Sequence, residues 1–362
     1  MGLPRSTYVR DGEEGVFHCF SRCVRRAFLY GFDTATGRDF SHRKTWLVDR
    51  LRHLAAIFAI EVCAYAVMEN HYHTVLRTRP DIVALWSDRQ VATRWLKLFP
   101  RKRSLTGEAI PPAEEDICTL TGCPERIEKL RKRLSRLSWF MGQLNEFIAR
   151  AANKEDNAKG RFWESRFKCQ KLLDEAAIAA CMVYVDLNPI RAGRAAPPET
   201  SDFTSIQERI RAWQKKTLAA ATGEAPKDAQ PKPVTDLQMP EMVSQIDSSE
   251  LNSTTWLCPI HSDSRRGILS MTTAEYFELV DVSGRMTRSD KRGTIDAQLV
   301  PILLRIGANP EAWLETISRF GTRFCLAAGL VSSLRDFAEQ LGRHWLKGLA
   351  TARTAFASPQ LT

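Results

Sequence analysis

The order of secondary-structure elements indicated by this sequence is strand, helix, strand, strand, long helix, strand, helix. This β-α-β-β-α-β order, with one helix added, is typical of a ferredoxin-like α+β fold, an antiparallel sheet with helices on one face. The assignments rest on short apolar or β-rich segments for strands and on apolar spacings of three and four for helices. With 362 residues, the chain is also long enough for a second core.

Three strands and one helix make up the first part of the pattern. β-branched and apolar residues predict the strands, and a three-four spacing of apolar residues predicts the helix. These elements are strands at 16–21, 61–68 and 71–77 and a helix at 41–58. Glu69 and Asn70 separate the last two strands, which predicts a hairpin.

The second part contains a long helix, a fourth strand and a further helix. From Pro124 to Ile148, apolar residues follow each other in steps of three and four, so one continuous helix is expected. Its apolar seam packs across the sheet or pairs with a second copy, which leaves both a monomer and a homodimer open. A strand is expected at 160–168, followed by a helix that Asp174 caps and Pro189 ends. The apolar stripe expected to be buried on this helix consists of Ile178, Cys181, Met182 and Val185.

Composition divides the chain into parts. A first domain is predicted at 1–205, with a polar, proline-containing insertion at about 79–123. Residues 81–98 of this insertion predict one helix. Residues 219–250 combine several prolines with polar residues, which predicts a linker. Residues 251–362 are predicted to form a helical C-terminal domain, whose role the sequence does not define.

The charge balance favours a polyanionic partner. The formal net charge is +10 and the sequence pI is about 9.3. No apolar run approaches the ~20 residues of a membrane helix, and no signal peptide is visible. The nine cysteines lack the spacing of a disulfide framework and favour a reducing compartment. A cytoplasmic protein without a membrane segment is therefore predicted.

Two short segments carry candidate chemistry. His71 and His73 are two positions apart on a predicted strand, so both imidazoles project to one face. Tyr184 and Asn188 are four positions apart on a predicted helix, where such side chains are neighbours. Imidazoles and an amide oxygen bind divalent metals, and a tyrosine hydroxyl attacks phosphorus in covalent catalysis. Each pair alone is more often packing; together they predict DNA strand cleavage through a phosphotyrosine.

These segments resemble a known family. Residues 70–73 are similar to the histidine–hydrophobic–histidine motif of HUH endonucleases. Residues 160–168, followed by 184–193, resemble the REP-associated tyrosine transposases, and the resemblance covers roughly residues 8–200. It implies the HUH endonuclease fold and a metal-dependent single-stranded DNA endonuclease and strand transferase. The implied substrate is a DNA hairpin with a short single-stranded recognition element beside it.

The resemblance also implies roles by position. Tyr184 matches the nucleophile that forms a 5′-phosphotyrosine, and His71, His73 and Asn188 match the ligands of Mg²⁺ or Mn²⁺. No nucleotide cofactor is implied, because the phosphotyrosine ester conserves bond energy. Cations that hold phosphates and rings that stack on bases are expected nearby. The residues predicted to bind nucleic acid are Arg22, Arg25, Arg26, Arg161, Trp163, Arg166 and Lys168.

Several alternatives remain open. Glu69 stands where the family often has proline, and it puts a carboxylate beside the predicted metal site. The first alternative is a protein that keeps this fold and binds DNA hairpins without cleaving them. The second is an RNA-binding or RNA-processing protein, because a sheet with exposed aromatics also suits RNA. A zinc hydrolase, for which Tyr184 would be dispensable, is the third alternative. A zinc site apart from these functions is a separate question. Zinc ligands could come from Cys118 with Cys123 or from Cys258 with His261, although neither pair has a clear second pair.

Overall fold

The structure is an α+β fold built on a mixed five-stranded sheet. It is a computed structural model that describes residues 3–24, 30–33, 37–105, 109–195, 197–222, 256–261, 267–286, 300, 303 and 308–356. The strands are Gly15–Arg22 (β1), Phe32–Asp33 (β2), Arg38–Asp39 (β3), Ile60–Val67 (β4), His71–Thr78 (β5), Lys168–Leu172 (β6) and Ala327–Ala328 (β7). The sheet order is β4-β5-β1-β6-β7, and β2 and β3 form a separate ribbon.

Helices cover the sheet and extend beyond it. They are His42–Ile57 (α1), Pro80–Leu85 (α2), Asp88–Leu98 (α3), Glu114–Thr121 (α4), Pro124–Leu134 (α5), Leu137–Glu155 (α6), Glu175–Asp186 (α7), Asn188–Arg191 (α8), Ser205–Thr222 (α9), Thr273–Met286 (α10), Pro310–Arg323 (α11), Val331–Gln340 (α12) and Leu349–Ala355 (α13). Within the described part of the chain, no helix is long and apolar enough to cross a membrane.

The first four strands of the sheet pair in antiparallel fashion, and the fifth does not. β1 lies at the centre, antiparallel to β5 and to β6, and β4 is antiparallel to β5. β7 joins the edge of β6 in parallel, so the expectation of a purely antiparallel sheet is wrong. The physical reason is that the backbone groups at the edge of β6 find partners there: Lys171 N donates to Leu326 O, and Leu173 N donates to Ala328 O.

Helices lie on both faces of the sheet, not on one face as expected. Tyr72 and His73 are consecutive on β5 and therefore point to opposite faces. The Tyr72 hydroxyl donates to Asn145 Oδ1 of α6 at 2.7 Å, whereas His73 lies against Tyr184 of α7. β4 and β5 are buried along nearly their whole length, as strands covered on both faces are.

The long helix expected from Pro124 is two helices. α5 and α6 are separated at Ser135 and Arg136, where Arg136 is extended with φ −84° and ψ 122°. Ala59 N donates to the Leu134 carbonyl, which a continuous helix would need for its own hydrogen bond. The predicted seam is nonetheless buried inside the chain; it consists of Ile127, Leu130, Leu134, Leu137, Met141, Leu144 and Ile148.

The insertion at about 79–123 contains three short helices, α2, α3 and α4. A single helix over 81–98 was expected, but Trp86 and Ser87 interrupt it. The Ser87 hydroxyl accepts from Gln90 N at 3.2 Å, and the Gln90 side chain accepts from Ser87 N at 2.9 Å. This capping box starts a new helix, α3, which packs against α5.

The strand expected at 160–168 begins only at Lys168. Residues 160–167 are irregular, although they follow the end of β1: Trp163 bridges to Cys23, and Glu164 N donates to Arg22 O at 2.8 Å. The physical reason is that only residues 168–172 stand in register with β1. The aromatic and cationic residues of this stretch therefore lie on a loop beside the sheet.

The C-terminal part of the chain shares the core of the sheet. α9 reaches Thr222, inside the expected linker, and residues 223–250 lie outside the described residues. Cys258 N donates to Val62 O of β4 at 2.8 Å, and Arg209 of α9 donates to the Cys63 and Cys258 carbonyls. α11 packs on α7, and β7 extends the sheet. In the described residues, these contacts connect the segments that follow residue 205 to the sheet.

Candidate active site

Side chains from β5 and α7 meet on one face of the sheet. His71 and His73 project from β5, with ring centroids 5.0 Å apart. The ring centroid of Tyr184, near the end of α7, is 5.6 Å from that of His73. The structure thus brings a tyrosine against the imidazole of His73, which is distant from it in sequence and lies next to that of His71.

α7 is held against the sheet by burial of most of its surface. Asp174 Oδ1 accepts from Ala177 N at 3.1 Å and caps the first turn, as expected. The predicted apolar stripe is buried; it consists of Ile178, Cys181, Met182 and Val185. Tyr184 is half-buried, so it lies at the margin of this packing.

Asn188 lies beyond a break in the helix. α7 ends at Asp186 and α8 begins at Asn188, with Pro189 in its first turn, so the helix ends earlier than the proline predicts. Asn188 is half-buried, and its Nδ2 has no hydrogen-bond partner among the described residues. A buried amide nitrogen without a partner suits a site that a ligand completes.

The surroundings of Tyr184 act on its pKa in both directions. Burial raises the pKa of Tyr184 above its ordinary value, while Asn188 and then Arg191 act to lower it. The Arg191 guanidinium lies 5.2 Å from the centroid of the tyrosine ring. The net result is a phenol that needs a further positive charge or a base to become a nucleophile.

His18 of β1 is a third histidine in contact with this cluster, and the sequence did not single it out. It is fully buried, and its Nε2 lies 2.9 Å from His73 Nδ1. Its Nδ1 lies 3.4 Å from Gln170 Oε1 of β6, and its ring centroid is 5.9 Å from that of Tyr184. The available signal was a histidine in the middle of an apolar strand.

These contacts define which imidazole nitrogens can bind a metal. With Gln170 Oε1 accepting from His18 Nδ1, His18 Nε2 accepts from His73 Nδ1, and His73 Nε2 keeps its lone pair. Asn70 Oδ1 lies 2.6 Å from His71 Nδ1 and accepts from it, so His71 Nε2 also keeps its lone pair. A hydrogen bond on the other ring nitrogen is the usual arrangement of a metal-binding histidine.

All three imidazoles are neutral near pH 7. Burial, and then the Arg22 guanidinium, lowers the pKa of His71 to about 4. Burial lowers the pKa of His18 to about 4 and holds the pKa of His73 well below its ordinary value. Neutral imidazole is the form that donates a lone pair to a metal.

The neutral imidazoles of His71 and His73 and the amide oxygen of Asn188 are donor types that divalent metals bind. The Glu69 carboxylate is engaged elsewhere, in an ion pair with Arg194 at 2.8 Å. Among the residues that the structure describes, no group of three or more His, Cys, Asp or Glu side chains is placed to hold a metal ion. The alternative zinc pairs therefore gain no further ligand of these types there.

The cations predicted to bind nucleic acid are exposed where the structure describes them. Arg22 ends β1 opposite His71, and Arg161, Arg166 and Lys168 lie on the loop before β6 and at its start. Arg25 and Arg26 lie outside the described residues. The exposed cations thus flank the strands that carry the histidines.

The aromatic residue available at the histidine face is Phe20, not Trp163. Trp163 Nε1 donates to Asn145 O at 2.8 Å and its ring packs on Tyr72, on the face opposite the histidines, so it is engaged in packing. Phe20 is half-buried, with its ring centroid 5.3 Å from that of His18 and 5.5 Å from that of His73.

Comparisons with known proteins do not assign the chain to a family. No family model matches it. Over 83 residues, 23% of this chain, it is 28% identical to FAD synthase of Methanothrix thermoacetophila, and it spans 58% of the length of that relative. It is similar to a solved structure of a REP-associated tyrosine transposase bound to a REP hairpin, with a TM-score of 0.34 and 12% identity over 67% of this chain and 100% of that chain. Neither likeness carries a functional argument, which has to come from the site.

Proposed function

We propose that this chain is a metal-dependent single-stranded DNA endonuclease and strand transferase, a transposase in which Tyr184 forms a 5′-phosphotyrosine at hairpin-forming repeats. The observation that carries the proposal is the contact of Tyr184 with the buried His18–His73 pair, on the face that His71 shares. In His71 and His73, a hydrogen bond at Nδ1 leaves Nε2 free to bind a metal, and a tyrosine that serves only in packing would not need such neighbours.

The sheet supports the proposal that this is the HUH variant of a ferredoxin-like fold. Along the chain, β1, α1, β4, β5, α6 and β6 follow the β-α-β-β-α-β order. In space, the four antiparallel strands stand in the order β4-β5-β1-β6. This order puts the two histidine-bearing strands side by side at the centre, with α7 across them.

In this proposal, the residues of the chain hold and attack the scissile phosphate. Mg²⁺ or Mn²⁺ bound by His71, His73 and Asn188 would supply Lewis-acid polarisation of the phosphate. The Tyr184 oxygen loses its proton and forms a bond to phosphorus, while the bond from phosphorus to the 3′ oxygen breaks. The products are a 5′-phosphotyrosine and a free 3′-hydroxyl, and a second 3′-hydroxyl reverses the attack and joins new ends.

The proposed partner is single-stranded or hairpin DNA, bound without a nucleotide cofactor. Exposed Arg22, Arg161, Arg166 and Lys168 would hold phosphates around the site. A cytoplasmic location and action as a monomer or homodimer belong to the same proposal. The buried seam of α5 and α6 is already used within the chain, so a dimer would need another surface.

One observation favours the alternative of a hairpin-binding protein that does not cleave. The Tyr184 ring packs against Phe320 of α11, and its hydroxyl lies beside Gly321. A tyrosine covered in this way has less access to a phosphate. Covalent chemistry distinguishes the two functions, since binding alone leaves no adduct.

The experiment is cleavage of labelled hairpin oligonucleotides from the repeats that flank the gene, with Mg²⁺ or Mn²⁺. Wild-type protein is expected to form an adduct that survives denaturation, and Tyr184→Phe is expected to form none. Tyr30→Phe is the matched control, because the Tyr30 hydroxyl is buried and has no partner among the described residues. Tight binding by wild type without an adduct under either metal would favour the non-cleaving alternative.

A further inference from the structure

A wide cleft lies beside the proposed active site. It has a volume of about 1030 Å³. One wall is the start of β6 and the loop before it, a second is the N-terminal segment at 3–9, and a third is the C-terminal segment at 321–326 with Lys347. We call it the β6 cleft.

The β6 cleft borders the histidine–tyrosine cluster. Phe20 and Gln170, which contact His73 and His18, both line it. Gly321 lines it as well, and a Cβ added to Gly321 would lie 2.9 Å from the Tyr184 hydroxyl oxygen. Gly321 therefore lies between the cleft and the hydroxyl that the proposed function uses.

The walls of the β6 cleft are basic. Exposed cations come from the loop before β6, from the start of β6 and from the C-terminal part: Arg166, Lys168 and Lys347. The acidic residue that lines the cleft is Asp11, and it forms an ion pair with Arg136, another lining residue. The cleft therefore carries an excess of positive charge, which attracts a polyanion.

The positive surface continues beyond the cleft. A neighbouring cavity of about 630 Å³ shares Thr322 and Lys347 with it and adds Arg319 and Arg323. These two arginines share the Glu315 carboxylate, at 3.7 Å and 2.6 Å. The C-terminal part thus extends a cationic track away from Tyr184.

Aromatic contacts in the β6 cleft favour a single strand. The Lys168 ammonium lies 5.6 Å from the centroid of the half-buried Phe20 ring. A groove that combines cations for the backbone with aromatic rings for unpaired bases is the usual design of single-strand binding sites. A duplex hides the faces of its bases and gains nothing from such rings.

We propose that the β6 cleft binds the single-stranded segment of the DNA and leads it to Tyr184, with the C-terminal part supplying one wall. This inference rests on the proposed function and names the path of its substrate. It also gives the C-terminal part a role: Lys347, far from the histidines in sequence, holds a phosphate of the strand.

The test is binding of a fluorescent single-stranded oligonucleotide about 12 nucleotides long, with its duplex form as a second probe. Lys347→Glu is expected to weaken single-strand binding at least about fivefold at low salt and to reduce its salt dependence. The matched control is Arg353→Glu, the same charge change at an exposed position of α13 that lines neither cavity. It is expected to bind within about twofold of wild type.

Two results would overturn the inference: unchanged single-strand binding by Lys347→Glu, or equal losses in Lys347→Glu and Arg353→Glu. The assay for a covalent protein–DNA adduct distinguishes failure of this inference from failure of the proposed function. If adducts form while Lys347→Glu binds normally, the β6 cleft is not the path. If no protein forms an adduct but Lys347→Glu alone loses binding, the cleft stands and the cleavage proposal falls.

Discussion

His73 is surrounded by side chains that define its chemistry before any ligand binds. His18 Nε2 accepts a hydrogen bond from its Nδ1, and the ring of Tyr184 lies against its ring. Burial lowers the pKa of His73 well below its ordinary value. Gln170 in turn holds His18 from the neighbouring strand. We infer that His18 acts as a positioning residue, which reaches the proposed metal only through His73.

The expected consequence is measured as Mn²⁺ affinity by electron paramagnetic resonance. His18→Leu removes the partner of His73 Nδ1 and is expected to weaken binding about tenfold. His18→Gln keeps an oxygen acceptor for that nitrogen and is expected to lose less. Thermal unfolding of each variant serves as the control for folding. If His18→Leu binds Mn²⁺ as tightly as wild type, His18 has no positioning role.

The contact between helices α7 and α11 joins the C-terminal part of the chain to Tyr184. The ring centroids of Tyr184 and Phe320 are 6.0 Å apart, and Arg191 Nη1 donates to the Ile317 carbonyl at 3.3 Å. Gly321 has no side chain to displace the tyrosine hydroxyl. α11 therefore helps to position the side chain of the proposed nucleophile.

Gly321→Ala tests this contact. The new Cβ would lie 2.9 Å from the Tyr184 hydroxyl oxygen, so the end of the tyrosine has to move. We expect the rate of adduct formation to fall at least tenfold, since small displacements of a reacting atom cost that much. Stability measured by denaturant unfolding is expected to change by less than about 1 kcal/mol, because only the far end of one side chain shifts.

Gly142→Ala is the control for this substitution. Gly142 lies within α6, and nothing is within 4 Å of an added Cβ. We expect it to stabilise the protein by roughly 0.5–1 kcal/mol, with no change in the adduct rate. Equal adduct rates for wild type and Gly321→Ala would mean that α11 does not position Tyr184.

For the whole molecule, one buried carboxylate joins three helices from distant parts of the chain. Asp186 at the end of α7 accepts from Ile206 N of α9 at 3.1 Å and from the Tyr276 hydroxyl of α10 at 2.6 Å. The Ser205 hydroxyl also donates to it. Burial raises the pKa of Asp186 to about 6, although its hydrogen bonds act to lower it.

This shift gives a pH dependence of stability with a definite sign. The pKa of Asp186 rises on folding from 3.8 to about 6, so its contribution to stability is lost as the pH rises through that range. The loss amounts to about 3 kcal/mol. Above about pH 7, the stability difference between wild type and Asp186→Asn is expected to be constant.

Urea unfolding of wild type and Asp186→Asn at several pH values measures this effect. Asparagine keeps the acceptor oxygen and does not titrate, so other groups cancel in the difference. A difference that stays constant from pH 4 to 7 would show that Asp186 has an ordinary pKa.

The spacing of residues along the sequence predicted some structural features correctly and missed others. The two-residue period of β5 correctly placed His71 and His73 on one face, and the stripe of α7 is buried as expected. The bend at Ser135 was not predictable, since Ala59, distant in sequence, takes the Leu134 carbonyl. β7 consists of two alanines, which carry no strand signal of their own.

The site was predictable only in part for the same reason. His18 meets His73 because β1 and β5 pair with Phe20 opposite His73, and that register is a tertiary property. Trp163 was expected at the nucleic-acid surface, yet the irregular path of residues 160–167 turns it onto Tyr72. The roles of Tyr184, the metal ligands and the exposed cations stay predictions.

The most direct measurement is the covalent state of Tyr184 after incubation with hairpin DNA and Mn²⁺. The tryptic peptide of residues 172–191 contains Tyr184 as its one tyrosine, so mass spectrometry can locate a phosphonucleotide on it. We expect this modified peptide from wild type and its absence from Tyr184→Phe. An adduct on a different peptide, or strand cleavage that persists in Tyr184→Phe, would contradict the phosphotyrosine mechanism.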